Sequence, residues 1–301
     1  MDAPNSSPIR YVEPVFRPPS EARSLILPVT DGCSWNRCTF CEMYTAPQKK
    51  FRARKEQEVL EMIRQSGETF GAGVRRVFLA DGDALVLPTH RLLRILEAIR
   101  ERLPSVERVS SYCLARNLKR KSVDELAELQ DAGLEMAYLG AESGDDRVLE
   151  RVDKGETFQT TVDALEKLRR AGITRSVMLL NGLGGKALSD QHADESARLA
   201  NETQPEYLAT LVVSFPQGEG RFREGFPDFE PLDPNGLFLE MRRLIAALVL
   251  EDTVFRSDHA SNWLVLKGRL NADKDRLLAQ LDQAIHQPDR APLRPEWLRG
   301  L

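Results

Sequence analysis

The sequence predicts an α/β fold: a partial (β/α)6 barrel of the TIM type with a mostly helical C-terminal extension. Two features lead there. Six short apolar runs, at residues 25–29, 77–80, 106–114, 136–139, 177–180 and 207–213, read as strands, and their starts fall roughly 30 to 50 residues apart. Between them lie segments whose apolar residues recur three and four apart, such as Val59/Ile63, Leu92/Leu96/Ile99, Leu126/Leu129 and Val162/Leu165/Leu168, the pattern of amphipathic helices. The segment ends agree. Ser122 with Glu125 forms a capping box, and Gly133 and Gly172 each follow an alanine just before the next apolar run, where a helix would stop. Alternating strands and helices imply parallel pairing with right-handed crossovers. Six units are too few to close an eight-stranded barrel, so an open one is expected.

The chain divides accordingly. Residues 1–23 are a proline-rich arm, 24–214 the barrel, and 215–301 an extension expected to cap its open side. Within that extension, 215–236 is rich in Gly, Pro and Phe and reads as a loop. A long apolar-faced helix (about 237–250), a mixed segment (253–268) and a final helix from about 272 follow.

Charge is balanced, with 42 basic and 46 acidic side chains, which gives no reason to expect a nucleic-acid partner. No apolar run approaches the roughly 18 residues of a membrane span, and the N-terminus has five prolines and no signal-like core. A cytoplasmic location is expected. The four cysteines suit a reducing compartment, because three of them crowd together instead of forming a spaced disulfide framework.

Those three, Cys33, Cys38 and Cys41, lie within nine residues directly after the first strand. In folds of this kind, loops at the C-terminal ends of strands carry the ligand site. Three thiolates can hold three irons of a 4Fe–4S cube and leave the fourth without a protein ligand, so that it is available for chemistry. The C-x4-C-x2-C spacing also fits a plant-type 2Fe–2S site completed by the distant Cys113, or a zinc site. A run of strand–helix units is not the small domain of a plant-type ferredoxin, which favours the first reading.

With this loop in this position, the chain resembles the radical S-adenosylmethionine superfamily over about residues 25–213. The common spacing there is C-x3-C-x2-C, so this chain carries one inserted residue but keeps the aromatic Phe40 before the last cysteine. Asp81-Gly82-Asp83 stands where the family has a Gly-Gly-Glu-like turn for the amino group of S-adenosylmethionine (SAM), a partial match. Gly140-Ala-Glu142-Ser143-Gly144 and Asp153-Lys154-Gly155 resemble the ribose- and carboxylate-contacting segment of the coproporphyrinogen dehydrogenase-like branch. Gly182, in the turn after the fifth strand, resembles the glycine under the adenine.

The resemblance implies a cluster held by Cys33, Cys38 and Cys41, and cofactor contacts from Phe40, Gly82, Asp83, Glu142, Ser143, Lys154 and Gly182. It implies reductive cleavage of SAM to a 5'-deoxyadenosyl radical that takes hydrogen from a small-molecule substrate, under anaerobic conditions and with a one-electron donor such as flavodoxin or ferredoxin. An iron–sulfur electron carrier or redox sensor with Cys113 as fourth ligand is a rival reading, and a structural zinc protein is another.

Outside these motifs, Cys113 at the end of the third strand reads as a cavity-wall thiol or a substrate-facing hydrogen-atom donor. His259 beside Asp258 reads as a candidate acid or base. His90, His192 and His286 read as surface or capping residues. Arg116 and Asn117 fall just after the third strand, near the expected site, whereas Arg175 opens the fifth strand and reads as structural.

Overall fold

A computed structural model describes residues 8–299 of the chain. Each of the six expected strands is present: β1 (Leu25–Pro28), β4 (Arg76–Ala80), β5 (Arg108–Cys113), β6 (Leu134–Glu142), β7 (Thr174–Asn181) and β8 (Tyr207–Val212). A short hairpin, β2 (Thr30–Asp31) with β3 (Arg52–Ala53), closes the ends of the cysteine-bearing loop. Two further strands, β9 (Thr253–Ser257) and β10 (Leu266–Leu270), extend the main sheet to eight, in the order β1-β4-β5-β6-β7-β8-β9-β10. β4 pairs in parallel with β1 and β5, and β8 with β7 and β9; β10 runs antiparallel on the edge.

The helices are α1 (Glu56–Phe70), α2 (Thr89–Arg102), α3 (Ala115–Leu118), α4 (Val123–Asp131), α5 (Asp146–Arg151), α6 (Phe158–Arg170), α7 (Gly185–Thr203), α8 (Gly220–Gly225), α9 (Pro234–Ala247) and α10 (Lys274–His286). This alternation is that of a partial TIM-like barrel. The mixed segment at 253–268 resolves into the β9–β10 pair, because Thr253, Phe255 and Ser257 alternate inward against Val254 and Arg256. The stretch expected as a loop contains α8, and α9 begins earlier than its apolar periodicity suggests because Asp233 accepts the Gly236 N–H at 2.7 Å and Pro234 opens the helix.

The chain forms two compact units. One comprises residues up to Asn36, Met43–Tyr138 and Lys167–Thr174. Its core includes Ile26, Phe78, Ala80, Met136 and Tyr138. The proline-rich arm ends here in Glu21, wholly buried, which accepts from Tyr138 and Arg108 at 2.6 Å each; the first seven residues of the arm lie outside the described residues. The capping box of Ser122 and Glu125 opens α4, and Gly133 and Gly172 follow α4 and α6 with φ of 110° and 76°, as the sequence leads one to expect.

The other unit comprises Arg37–Glu42, Leu139–Glu166 and the chain from Arg175 onward. Its aromatic core gathers Phe222, Phe226 and Phe229 around Val148, Val152 and Leu183. Arg175, 2% exposed, donates to Glu206, Thr203 O and Gln204 O, a structural tie as expected. Among the described residues no helix is long and apolar enough to cross a membrane.

Candidate cofactor site

In the first unit the start of the cysteine loop is built on buried charge. Asp31 receives Arg54 at 2.7 Å and Arg52 at 2.6 Å, and Asp81 receives Lys49 at 2.5 Å, with the Lys49 and Asp81 side chains 1% and 3% exposed. Buried pairs of this kind fix geometry more than they add stability. Gly32 has φ of 70°, and a Cβ there would fall 2.0 Å from Lys49 O, so only glycine fits. The Gly82 N–H donates to Gly32 O at 3.0 Å, and a Cβ on Gly82 would lie 2.8 Å from the Cα of Cys33. The 81–83 turn is therefore in van der Waals contact with the first cysteine.

Asp83 is fully buried and turned inward. It accepts the Ser34 N–H at 2.9 Å, the Ser34 hydroxyl and the Asn117 amide at 3.2 Å. Burial raises its pKa despite these bonds. Asn117 in turn accepts the Leu114 N–H at 2.7 Å, and the Arg116 guanidinium stacks 3.5 Å above the Trp35 ring. Cys113, 2% exposed, is the last residue of β5.

In the second unit the rest of the loop is tied down separately. Thr39 N–H donates to Val152 O at 2.9 Å, Cys41 N–H to Cys38 O at 3.2 Å, and Arg221 to Cys41 O at 2.5 Å. Phe40 packs on the aromatic core. Arg37 pairs with Asp153 at 2.9 Å. None of the three cysteines is in a disulfide.

Glu142 ends β6 with φ of 65°, and Lys154 donates to it at 3.1 Å, the two side chains being 12% and 5% exposed. A Cβ on Gly140 would fall 2.0 Å from the Glu142 carboxylate oxygen. Gly140 thus vacates the space that the carboxylate fills. Burial pulls the Lys154 pKa down, but the charges of Glu142 and Cys38 outweigh it and hold the ammonium protonated.

Ser143 is fully buried and its hydroxyl is bonded to His192 Nδ1 at 2.8 Å while accepting the Asp145 N–H at 3.0 Å. Gly182 has φ of 86°, and its N–H donates to Glu240 at 2.6 Å. His192 is 3% exposed, which corrects its reading as a surface or capping residue: α7 turns it inward to Ser143. A lone histidine in a helix of mixed composition carries no sequence signal of that direction.

His259 is half-buried and spends its ring on its own loop, accepting the Ser261 N–H at 3.2 Å with the Ser261 hydroxyl at 2.9 Å. Ser261 and Asn262 both accept from Val212 N–H, so this loop closes the end of β8. Burial, then Arg294, lowers the His259 pKa; Asp258 pairs instead with Lys267 at 2.8 Å.

The Radical SAM superfamily model matches residues 27–200, more than half of the chain. This chain belongs to the radical SAM superfamily. Among curated proteins it is similar to the heme chaperone HemW of Bacillus subtilis, 22% identical over 184 residues that make up 58% of this chain and 47% of the relative. It is also similar to the 4'-phospho-dehydrooxetanocin synthase of Priestia megaterium, 26% identical over 50% of this chain and 22% of that protein. The chain thus spans less than half the length of either relative.

Among solved structures, the coproporphyrinogen III oxidase HemN of Escherichia coli aligns with a TM-score of 0.58 and 16% identity, covering 75% of this chain and 53% of that one. Methylornithine synthase (PylB) aligns with a TM-score of 0.52 and 18% identity, covering 75% and 63%. Radical SAM superfamily members bind a 4Fe–4S cluster and SAM, and the neighbour HemN is a radical SAM enzyme. The structural-zinc reading falls away.

The residues suit those groups. Three thiols in nine residues, with Lys154 beside Cys38 and Arg221 on the Cys41 backbone, form a soft donor set in cationic surroundings. Among the described residues no three His, Cys, Asp or Glu side chains converge as a preformed metal cage. What recommends the thiols is their number, spacing and neighbours.

Proposed function

We propose that Cys33, Cys38 and Cys41 hold the cluster and that the enzyme acts on a small-molecule substrate by hydrogen abstraction. The observation that carries this reading is the cysteine loop: three cysteines in nine residues, immediately after β1, with Cys33 in contact with the Gly82 turn. When bound and reduced, the cluster supplies the electron that cleaves SAM to the 5'-deoxyadenosyl radical.

The residues around it bind and position. Gly82, lacking a side chain, lets the turn whose backbone would receive the cofactor's amino group close on Cys33. Asp83 keeps Ser34, and through it Cys33, in place. Glu142 is an acceptor for ribose hydroxyls, and Lys154 is a donor for the methionyl carboxylate. Phe40 and the aromatic core behind it keep water from that half of the loop. Gly182, packed against Leu237, belongs to the turn that would lie under the adenine. On the substrate side, Cys113 at a strand's C-terminal end is the candidate hydrogen donor; His259, held by Ser261, suits ordering of the loop it belongs to. A flavodoxin- or ferredoxin-type protein is the expected electron source.

The test is anaerobic reconstitution, reduction with dithionite in the presence of SAM, and assay of 5'-deoxyadenosine against the Cys33/Cys38/Cys41→Ala protein. Cluster-dependent 5'-deoxyadenosine is the expected result. A wild type with a reducible four-iron cluster that binds no SAM would overturn the reading.

A further inference from the structure

Helix α7 buries a polar stripe. Ser189, His192 and Ser196 stand three and four residues apart on one face, and the latter two are 3% and 1% exposed. A core-facing helix stripe is ordinarily apolar, and polar groups withdrawn from water cost free energy unless bonded. Each of these is bonded. Ser196 accepts the Gly144 N–H at 3.0 Å, His192 Nδ1 meets the Ser143 hydroxyl at 2.8 Å, and Ser189 donates to Glu240 at 2.6 Å.

Glu240 is as unusual. It lies among Leu237, Met241 and Leu244 on the buried face of α9, and is 4% exposed. One carboxylate oxygen takes Ser189, and the other takes the Gly182 N–H at 2.6 Å, with His192 Nε2 3.8 Å away. A buried carboxylate is costly to keep, so its retention at a position suited to leucine points to what it holds. The backbone amides at the two ends of the network, Gly144 and Gly182, belong to the turns after β6 and β7. Both turns are in close contact with the bracing helices: a Cβ on Gly144 would fall 2.1 Å from Glu195 O, and one on Gly182 2.8 Å from Leu237 Cδ2.

We propose that His192 and Glu240 are positioning residues for SAM, a brace of α7 and α9 that sets the turn carrying Glu142 and Ser143 and the turn carrying Gly182 in register with each other. This rests on the assignment of those two turns to the ribose and adenine of SAM. Neither residue touches the cofactor; each acts through a bond to a turn that does. The logic is that of outer partners in metal sites, whose loss costs affinity while the ligands themselves remain.

The test uses the full chain with its cluster reconstituted, and two probes: SAM, and S-adenosylhomocysteine, which has no sulfonium to cleave. Glu240→Gln and His192→Leu are expected to weaken binding of both by about 10- to 100-fold. Iron and sulfide content, and the EPR spectrum of the reduced cluster before SAM is added, should match wild type. Hydrogen exchange at the Gly144 and Gly182 amides should quicken. His192→Asn, whose amide reaches the place of Nδ1, should recover most of the affinity. Ser196→Ala, a milder change that removes only the acceptor for Gly144, should weaken binding several-fold and serves if Glu240→Gln does not fold. Variants that lose thermal stability but bind both probes as wild type would overturn the brace and leave the cofactor assignment intact. A cluster-loaded wild type that binds neither probe would overturn both.

Discussion

Two carboxylates, the buried Asp83 of the first unit and the partly buried Glu142 of the second, are held differently by the fold. Asp83 accepts three hydrogen bonds from neutral donors, two of them from Ser34 beside the first cysteine, and burial favours its protonated form. Glu142 ends its strand in the left-handed region and is paired with a protonated lysine. The first arrangement tolerates a neutral side chain of the same shape. The second depends on charge. Asp83 is thus a fastening of the start of the cysteine loop, whereas Glu142 and Lys154 form a charged pair, the pair that the proposed function assigns to a zwitterionic cofactor.

That contrast can be broken most sharply at Glu142. Glu142→Gln removes the hydrogen-bonded counter-ion of a buried ammonium and is expected to cost about 3 kcal/mol in urea unfolding. The double variant Glu142→Gln/Lys154→Met should regain most of that stability, since replacing both members of a buried pair is often neutral, yet SAM binding should stay lost. Recovery of binding in the double variant would remove the distinction. Gly82→Ala comes next: its methyl group would press on the Cα of Cys33, at a cost of about 1–3 kcal/mol, and iron incorporation should fall below half of wild type. Asp83→Asn should cost only about 1 kcal/mol and keep its cluster, because the amide oxygen still accepts from Ser34; loss of iron would show that the charge at 83 matters after all.

The smallest effect is at His259. Its folded pKa lies below the ordinary 6.5, so the unfolded chain binds more protons in the interval between the two values. Stability should rise with pH through that interval and be lost on acidification towards the folded value. His259→Gln should flatten this slope in thermal melts taken just below pH 6.5, and 5'-deoxyadenosine formation should change little if the residue only orders its loop.

Strands and helices were legible where apolar residues recur at helical spacing, as Leu92, Leu96 and Ile99 do in α2, or run together, as Val177 to Leu180 do in β7. The edge strand β10 and its neighbour β9 were not, since Lys267 and Arg269 expose one face of the five-residue β10 and Gly268 interrupts it. The cysteine loop and the 140–144 and 153–155 segments stood out through residue type and spacing. The partners that fasten them did not. Ser34, His192 and Glu240 act across 49 to 58 residues of sequence, through hydrogen bonds that leave no periodic trace. Glu240 alone offered a hint, a charge set among apolar residues on a helix face destined for the core.

The space beside Glu142 also bears on how this protein can change. Any residue other than glycine at 140 puts its Cβ 2.0 Å from the carboxylate oxygen of Glu142. A single substitution at 140 therefore displaces the carboxylate, the far end of a flexible side chain, from its place beside Lys154. The dependence runs one way: the acid can be shortened while glycine stands at 140, whereas a side chain at 140 needs the carboxylate to move first.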